Sequence, residues 1–280
     1  MSPRPRRVRT AFKTLHLWLG LSLGIVLALV ALSGSVLLWE APLFRAGNPE
    51  LVDRPLPDLA TQGHALQVIL ASSEGARARG FSFPDADLPV WEALERGGDR
   101  SYFEAATGQL LVHRSKSSDL LLTLLDWHTH LLSGAVGETV LGVVACAGLF
   151  MLLSGVWLYW PGRQRALKHL KPYANPPVLR WASLHRFVGV VALPLLVVMI
   201  GTGTTMAYRG AVRSGLAAAF SEPSPPRPPK TPMTRVAIDW PAVLLAAKAA
   251  APDAELTRLS LPAKDSGTIV LRIRRPGEWN

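Results

Sequence analysis

Apolar residues in this chain gather into three long runs, at roughly residues 14–39, 131–160 and 182–208, separated by hydrophilic stretches. Each run exceeds the roughly 20 residues that a helix needs to cross about 30 Å of hydrocarbon, so each predicts a membrane-spanning helix. The runs divide the chain into an N-terminal segment (1–13), a first spanning helix (14–40), a hydrophilic module (41–126), a second spanning helix (127–160), a basic loop (161–180), a third spanning helix (181–209) and a second hydrophilic part (210–280). Within the first hydrophilic module the pattern predicts a helix around Thr61–Ser73. Phe81-Ser82-Phe83-Pro84 then reads as the opening of a strand, and SYFEAATGQLL as strand, turn and strand. The second hydrophilic part begins with a Pro-rich connector, SEPSPPRPPK, expected to be an extended spacer. It continues with a helical stretch around Trp240–Ala251 and with Leu259-Ser260-Leu261-Pro262 as the opening of another strand.

Charge refines this picture. The formal net charge of +10 would suit a nucleic-acid partner if it were spread over the surface, but the basic residues flank the apolar runs. Arg4, Arg6, Arg7, Arg9 and Lys13 precede the first run, and Arg163, Arg165, Lys168, Lys171 and Arg180 lie between the second and third. The positive-inside rule places both clusters on the cytoplasmic side and explains the charge as orientation, so no nucleic-acid partner is expected. The N-terminus is then inside, and the two hydrophilic parts are outside. Trp18, Trp39, Trp127, Trp157, Tyr159, Trp160, Trp181 and Tyr208 fall near the expected interfaces, where amphipathic rings prefer to sit. A cleaved secretory signal is a poor description of the first run, which is too long and leaves through Leu37, Leu38 and Trp39 instead of small residues. Cys146 is the single cysteine, so no intramolecular disulfide forms.

The chain also repeats itself. The first spanning segment begins L-H-L-W-L-G at Leu15 and reaches Ser33-Gly34; the third begins L-H-R-F-V-G at Leu184 and reaches Thr202-Gly203. In both, a glycine follows the histidine by four residues and the small-residue pair ends eighteen beyond it. Eighteen residues of helix rise about 27 Å, so histidine and glycine pair mark opposite membrane faces. Each half is thus a spanning helix followed by a helix-and-strand module, with a returning helix after the first. The repeat predicts a fourth spanning helix after the second module, so the chain reads as a truncated version of a longer protein.

The run from Arg9 to Trp39, the segment LLLTLLDWHTHLLSGAVGETVLGVVACAGLFMLLSGVWLYWPGR and the segment RWASLHRFVGVVALPLLVVMIGTGTTMAY together resemble the PepSY-associated transmembrane proteins. That group includes iron-regulated bacterial inner-membrane proteins and the ferric-siderophore reductases. The resemblance implies an α-helical integral membrane bundle of four spanning helices, three of them present here. It further implies two small α+β PepSY-like periplasmic modules, the second incomplete in this chain. It implies location in a bacterial inner membrane and, for the reductases, two haem b groups held by transmembrane histidines.

His16 and His185 lie at equal depth on parallel helices. Two neutral imidazoles facing each other make a six-coordinate haem iron suited to electron transfer. Interfacial bonding to headgroups is the competing reading of a lone histidine, and the matched register with a glycine one turn on favours ligation. Lys13, Arg180 and Arg186 are positioned as cationic partners for haem propionates. His128 and His130 are expected to open the second spanning helix at the outer face. Two residues apart on a helix they point in different directions, so both are not expected on one iron. The family pattern selects His128, with His130 as the second choice through Gly134, and the opposing ligand would come from the fourth helix. His64, His113 and His169 read as exposed surface.

No zinc-spaced Cys/His set, nucleotide-binding loop or hydrolase serine elbow occurs in context, so chemistry without a bound cofactor has little support. The resemblance points to a haem-b electron-transfer protein that reduces ferric siderophore with an unidentified electron donor, in contact with the lipid bilayer and with room for a partner chain or oligomer. The alternative is a non-enzymatic, membrane-anchored PepSY protein that binds or restrains a periplasmic peptide or protein.

Overall fold

The computed structural model describes residues 3–160, 170–221, 238–262 and 267–278, with side chains from Arg7 onward. Arg163, Arg165, Lys168, His169 and most of the Pro-rich connector lie outside the described residues. The chain divides into two compact units, Met1–Ser35 with Asp126–Ser224, and Val36–Leu125 with Pro225–Asn280.

In chain order the elements are helices α1 (Pro3–Leu37), α2 (Glu40–Gly47), α3 (Pro49–Val52), α4 (Leu59–Ala71) and α5 (Ser73–Arg77), then strands β1 (Ala78–Ser82), β2 (Val90–Glu95), β3 (Arg100–Glu104) and β4 (Leu110–Arg114). They continue with α6 (Leu120–His130), α7 (Gly134–Tyr159), α8 (Pro177–Ala207), α9 (Arg209–Ala219), α10 (Trp240–Ala250), β5 (Glu255–Ser260) and β6 (Val270–Arg274).

The first unit contains the three helices long and apolar enough to cross a membrane, over Arg7–Leu37, Gly134–Tyr159 and Pro177–Ala207. Large apolar side chains such as Leu21, Ile25, Val191 and Val198 stand exposed on them, as a hydrocarbon environment requires. Small residues let the helices approach. A side-chain carbon added at Gly148 of α7 would meet Ile200 of α8 at 3.4 Å and Leu27 of α1 at 3.5 Å. Phe12 of α1 packs on Phe150 and Trp157 of α7, with ring centroids 5.8 and 5.0 Å apart, and Arg9 donates a 2.9 Å hydrogen bond to the Leu158 carbonyl near the end of α7.

The second spanning helix differs from the sequence reading. It begins at Gly134, not at Trp127, because Leu131, Leu132 and Gly134 adopt φ values of 47°, 57° and 56°. Left-handed backbone breaks the right-handed helix there. His128 and His130 therefore close the separate helix α6 and do not open the spanning helix.

In the second unit a single antiparallel sheet of order β4-β3-β2-β1-β5-β6 replaces the two separate modules that the sequence implies. The two halves of the repeat join at its centre, where β1 pairs with β5. Phe81 lies directly opposite Leu259, its own counterpart in the repeat. The overlying helices cross at counterparts too, since a side-chain carbon on Gly63 of α4 would lie 2.6 Å from the backbone of Pro241 of α10. In both pairs the partners stand 178 residues apart (259 less 81, 241 less 63), so one local two-fold axis relates the halves. The Phe-Ser-Phe-Pro and Leu-Ser-Leu-Pro motifs close β1 and β5, where the sequence reading had them open strands. Proline lacks the N–H that a continuing ladder needs.

Local chemistry fixes these elements. Asp58 caps α4 by accepting from the Thr61 amide at 2.9 Å, and Asp239 caps α10 by accepting from the Ala242 amide at 3.2 Å. Gly98 and Gly108, with φ of 94° and 75°, turn the β2–β3 and β3–β4 hairpins. Alternation along β2 sends Trp91 and Ala93 to a core shared with Leu66, Ile69, Trp240 and Leu244 of the helices. On the opposite face Phe44 and Leu51 cover Val90 and Tyr102.

The close crossing at Gly63 yields the first expected result. In Gly63→Ala the new methyl meets a rigid proline backbone, and overpacking of this kind costs about 1–3 kcal/mol. That exceeds the helix-propensity gain of about 0.5–1 kcal/mol for alanine over glycine. The denaturation midpoint of the detergent-solubilised protein should fall, and an unchanged or higher midpoint would contradict the packing.

Candidate functional site

Two histidines from different spanning helices meet in the first unit, His16 half-buried and His185 exposed. His16 of α1 and His185 of α8 have ring centroids 6.4 Å apart and planes inclined at 77°. Two imidazoles bound through Nε2 on opposite sides of one iron, at about 2 Å from metal to nitrogen, have centroids about 6.3 Å apart. The observed separation is close to that spacing.

The hydrogen bonding around His16 favours one tautomer. Nδ1 lies 2.9 Å from Oγ of Ser154, a residue of α7 that is only 2% exposed. The Ser154 hydroxyl donates its single proton to the Met151 carbonyl at 3.1 Å. Nδ1 of His16 is then the donor toward Ser154, and Nε2 keeps the lone pair that a metal binds. Next in sequence, Gly155 leaves space for the ring, since a side-chain carbon there would come within 3.3 Å of the His16 Cε1. Nε of Arg186, the residue after His185, is buried without a hydrogen-bond partner among the described residues. A guanidinium in that condition suits an anionic group placed beside the pair. Arg180 stacks on Trp181 with its guanidinium carbon 5.1 Å from the ring.

The same construction recurs at the other end of α1. Nδ1 of His128 lies 3.0 Å from Oγ of Ser33 and 3.0 Å from the Val30 carbonyl, and Ser33 itself donates to Val30 at 2.8 Å. A carbonyl only accepts, so Nδ1 of His128 is a donor and Nε2 is free. Gly34 again makes room, because a side-chain carbon there would sit 2.8 Å from the ring. Each histidine is thus seated on a Ser-Gly pair of a neighbouring helix. Ser33 is 17 residues from His16, so the two seats are about 25 Å apart along α1.

His130 is not part of either seat. Its Nδ1 lies 2.7 Å from Oγ1 of Thr129 and 3.5 Å from a carboxylate oxygen of Asp126. Among the described residues no group of three or more His, Cys, Asp or Glu side chains is placed to hold a metal ion, so any iron here depends on a ligand that brings its own equatorial donors. His64 and His113 are both exposed, as read, and His113 also bonds Ser101 Oγ at 2.9 Å in the sheet unit.

Sequence reasoning missed Ser154 and Gly155. A signal was present, because Leu-Ser-Gly occurs at 32–34 and again at 153–155.

Three apolar helices with imidazoles seated on small-residue pairs, and a six-stranded sheet unit, define an integral membrane protein with a folded hydrophilic part. Residues 13–267 match the family of the PepSY-associated TM region, and the chain belongs to that family. No curated protein matches the chain.

Removing the Ser154 hydroxyl frees His16 to rotate and to change tautomer. Partners of this kind are worth about 10–100-fold in metal affinity. If a haem is held at His16, Ser154→Ala should retain the fold and release that haem to apomyoglobin about 10–100 times more readily, whereas unchanged retention would remove Ser154 from the site.

Proposed function

We propose that this protein holds haem b between His16 and His185 and passes electrons across a bacterial inner membrane, with ferric siderophore as the terminal substrate. The observation that carries this reading is the His16–His185 pair at axial-ligand separation. His16 and His185 would supply the imidazole donors to the haem, Ser154 would hold His16 in the ligating tautomer, and Arg186 would offer its guanidinium to the anionic groups of the haem. A second haem takes His128 as its ligand from this chain, with His130 as the alternative. Bound haem b supplies one-electron exchange, which releases iron from a ferric chelate because the ferrous form is held weakly. The N-terminal basic residues support a cytoplasmic position for the His16 end, from which an unidentified donor would supply the electron.

The test is the absorption spectrum of protein purified from haem-supplemented bacteria, followed by reduction of a ferric hydroxamate with ferrous iron captured by a chromogenic chelator. A Soret band that shifts on reduction, with chelate reduction dependent on it, is expected. A colourless preparation overturns the reading and leaves the non-enzymatic role, in which the sheet unit binds or restrains a periplasmic peptide or protein.

A further inference from the structure

The sheet face opposite α4 and α10 carries charges that its own residues do not balance. On the β2–β4 side that face is covered by α2 and α3 through Phe44 and Leu51. On the β1–β5–β6 side the cross-strand row is Ser82, Arg258, Arg272, so two arginines stand directly opposite each other on neighbouring strands. Like charges in that relation are destabilising. Arg79 adds a third guanidinium from the irregularity between Ala78 and Gly80 in β1. Among the described residues, no carboxylate lies within ion-pair distance of Arg79, Arg258 or Arg272. The nearest carboxylate in the row, Glu92, is already engaged by Arg100 at 3.2 Å, Tyr102 at 3.1 Å and Ser82 at 3.1 Å. Burial first, then the charges of Arg79 and Arg272, push the Arg258 guanidinium below its ordinary range.

Between these long side chains the sheet floor is low. Gly80 lies directly opposite Ser260, and Ser82 opposite Arg258, so a glycine and two serines adjoin the arginines. Three guanidinium forks beside a small, hydroxyl-bearing floor match the acceptor-rich geometry of a phosphate-class oxyanion. The surroundings decide between a soluble anion and an anionic membrane surface. Glu92 and Glu104 on the same sheet face are paired with Arg100 at 3.2 Å and Arg54 at 2.9 Å, so the positive charge left without an ion pair is confined to the small arginine cluster, a size that suits a discrete anion better than a broad surface. A discrete anion engages the arginines alone.

We propose that Arg79, Arg258 and Arg272 form a binding site for a soluble phosphate-bearing anion on the β1–β5–β6 face of the sheet. The site is independent of any haem in the spanning helices.

The experiment measures the thermal midpoint of the full chain in neutral detergent, in inorganic phosphate against chloride at equal ionic strength. Wild type, Arg258→Gln, Arg272→Gln and a charge control at the exposed Arg96, Arg96→Gln, are compared. Wild type and Arg96→Gln should gain stability with phosphate, while the two site variants should bind it about tenfold to a hundredfold more weakly. In chloride alone the site variants should melt at or above the wild-type temperature, because they relieve like-charge crowding. That result also shows that they fold. The proposal is overturned if phosphate stabilises the site variants as it does wild type, or if Arg96→Gln loses the effect equally. It is also overturned if phosphate has no effect and the arginines matter only in nanodiscs containing phosphatidylglycerol.

Discussion

Replacing Arg114 with alanine is expected to cost the sheet unit about 3–5 kcal/mol, the range found when one partner of a buried charge network is removed. Arg114 ends β4 with a side chain only 4% exposed. It bonds Asp119 through Nε at 2.7 Å and Nη2 at 3.0 Å, Glu40 through Nη1 at 2.9 Å and the Tyr102 hydroxyl at 3.3 Å. Its guanidinium also lies 4.4 Å from the centre of the Phe44 ring. Burial opposes the charge, but the bonds to Asp119, Tyr102 and Glu40 outweigh it and hold Arg114 above its ordinary range. Burial and the charge of Glu92 push the Tyr102 hydroxyl up to about 12, so it stays protonated and donates to Glu92.

Deleting Arg114 leaves Asp119 without its counter-charge and Glu40 with Arg100 alone, at 3.5 Å, and it loosens the start of α6, whose Leu122 amide is capped by Asp119 at 2.9 Å. The midpoint of chemical denaturation should drop accordingly. Acid titration gives a second readout. The bond from Arg114 first, and the capped amides with it, hold the Asp119 carboxyl below its ordinary value. A depressed carboxylate contributes stability that is complete above the usual carboxylate range and is lost as pH falls through the lowered value, below about pH 4. That acid-sensitive step should flatten in Arg114→Ala. An alanine variant as stable as wild type, with the same acid profile, would contradict the network.

The second large effect concerns haem content. If a haem is held between His16 and His185 as proposed, His16→Ala and His185→Ala should each lose close to one full haem equivalent per chain by pyridine haemochrome assay. His128→Ala should leave that equivalent in place, because its seat on Ser33 and Gly34 is about 25 Å away along α1. Loss of the same equivalent in all three variants would mean that the His16–His185 pair is not a discrete site.

Much of this was legible from residue pattern alone, and the failures have physical causes. Length and hydropathy locate the three spanning helices because a bilayer imposes both. Their ends are less legible. Leu131 and Leu132 carry no glycine or proline signal, yet both take left-handed backbone and detach His128 from the spanning helix. The matched register of His16 and His185 places them at equal depth, and helix packing through Gly148 turns that depth into proximity. The repeated Leu-Ser-Gly marks Ser154, but its role depends on which helix neighbours α1, a non-local fact. Pairing of β1 with β5 joins residues 178 apart, and only the repeat hints at it. Phe81 and Leu259 are the two copies of one position, and a two-fold axis must pass between such copies. The Arg114 network had no sequence signature, since its carboxylates come from α2 and from the turn before α6.

The most direct test is electron paramagnetic resonance of the oxidised, detergent-solubilised protein. If these two imidazoles hold the proposed haem iron with their planes inclined at 77°, the oxidised protein should give a strongly anisotropic low-spin signal that disappears in both His16→Ala and His185→Ala. A high-spin signal alone, no ferric haem signal in protein from haem-sufficient cells, or a low-spin signal untouched by either substitution would contradict an iron shared by these two histidines.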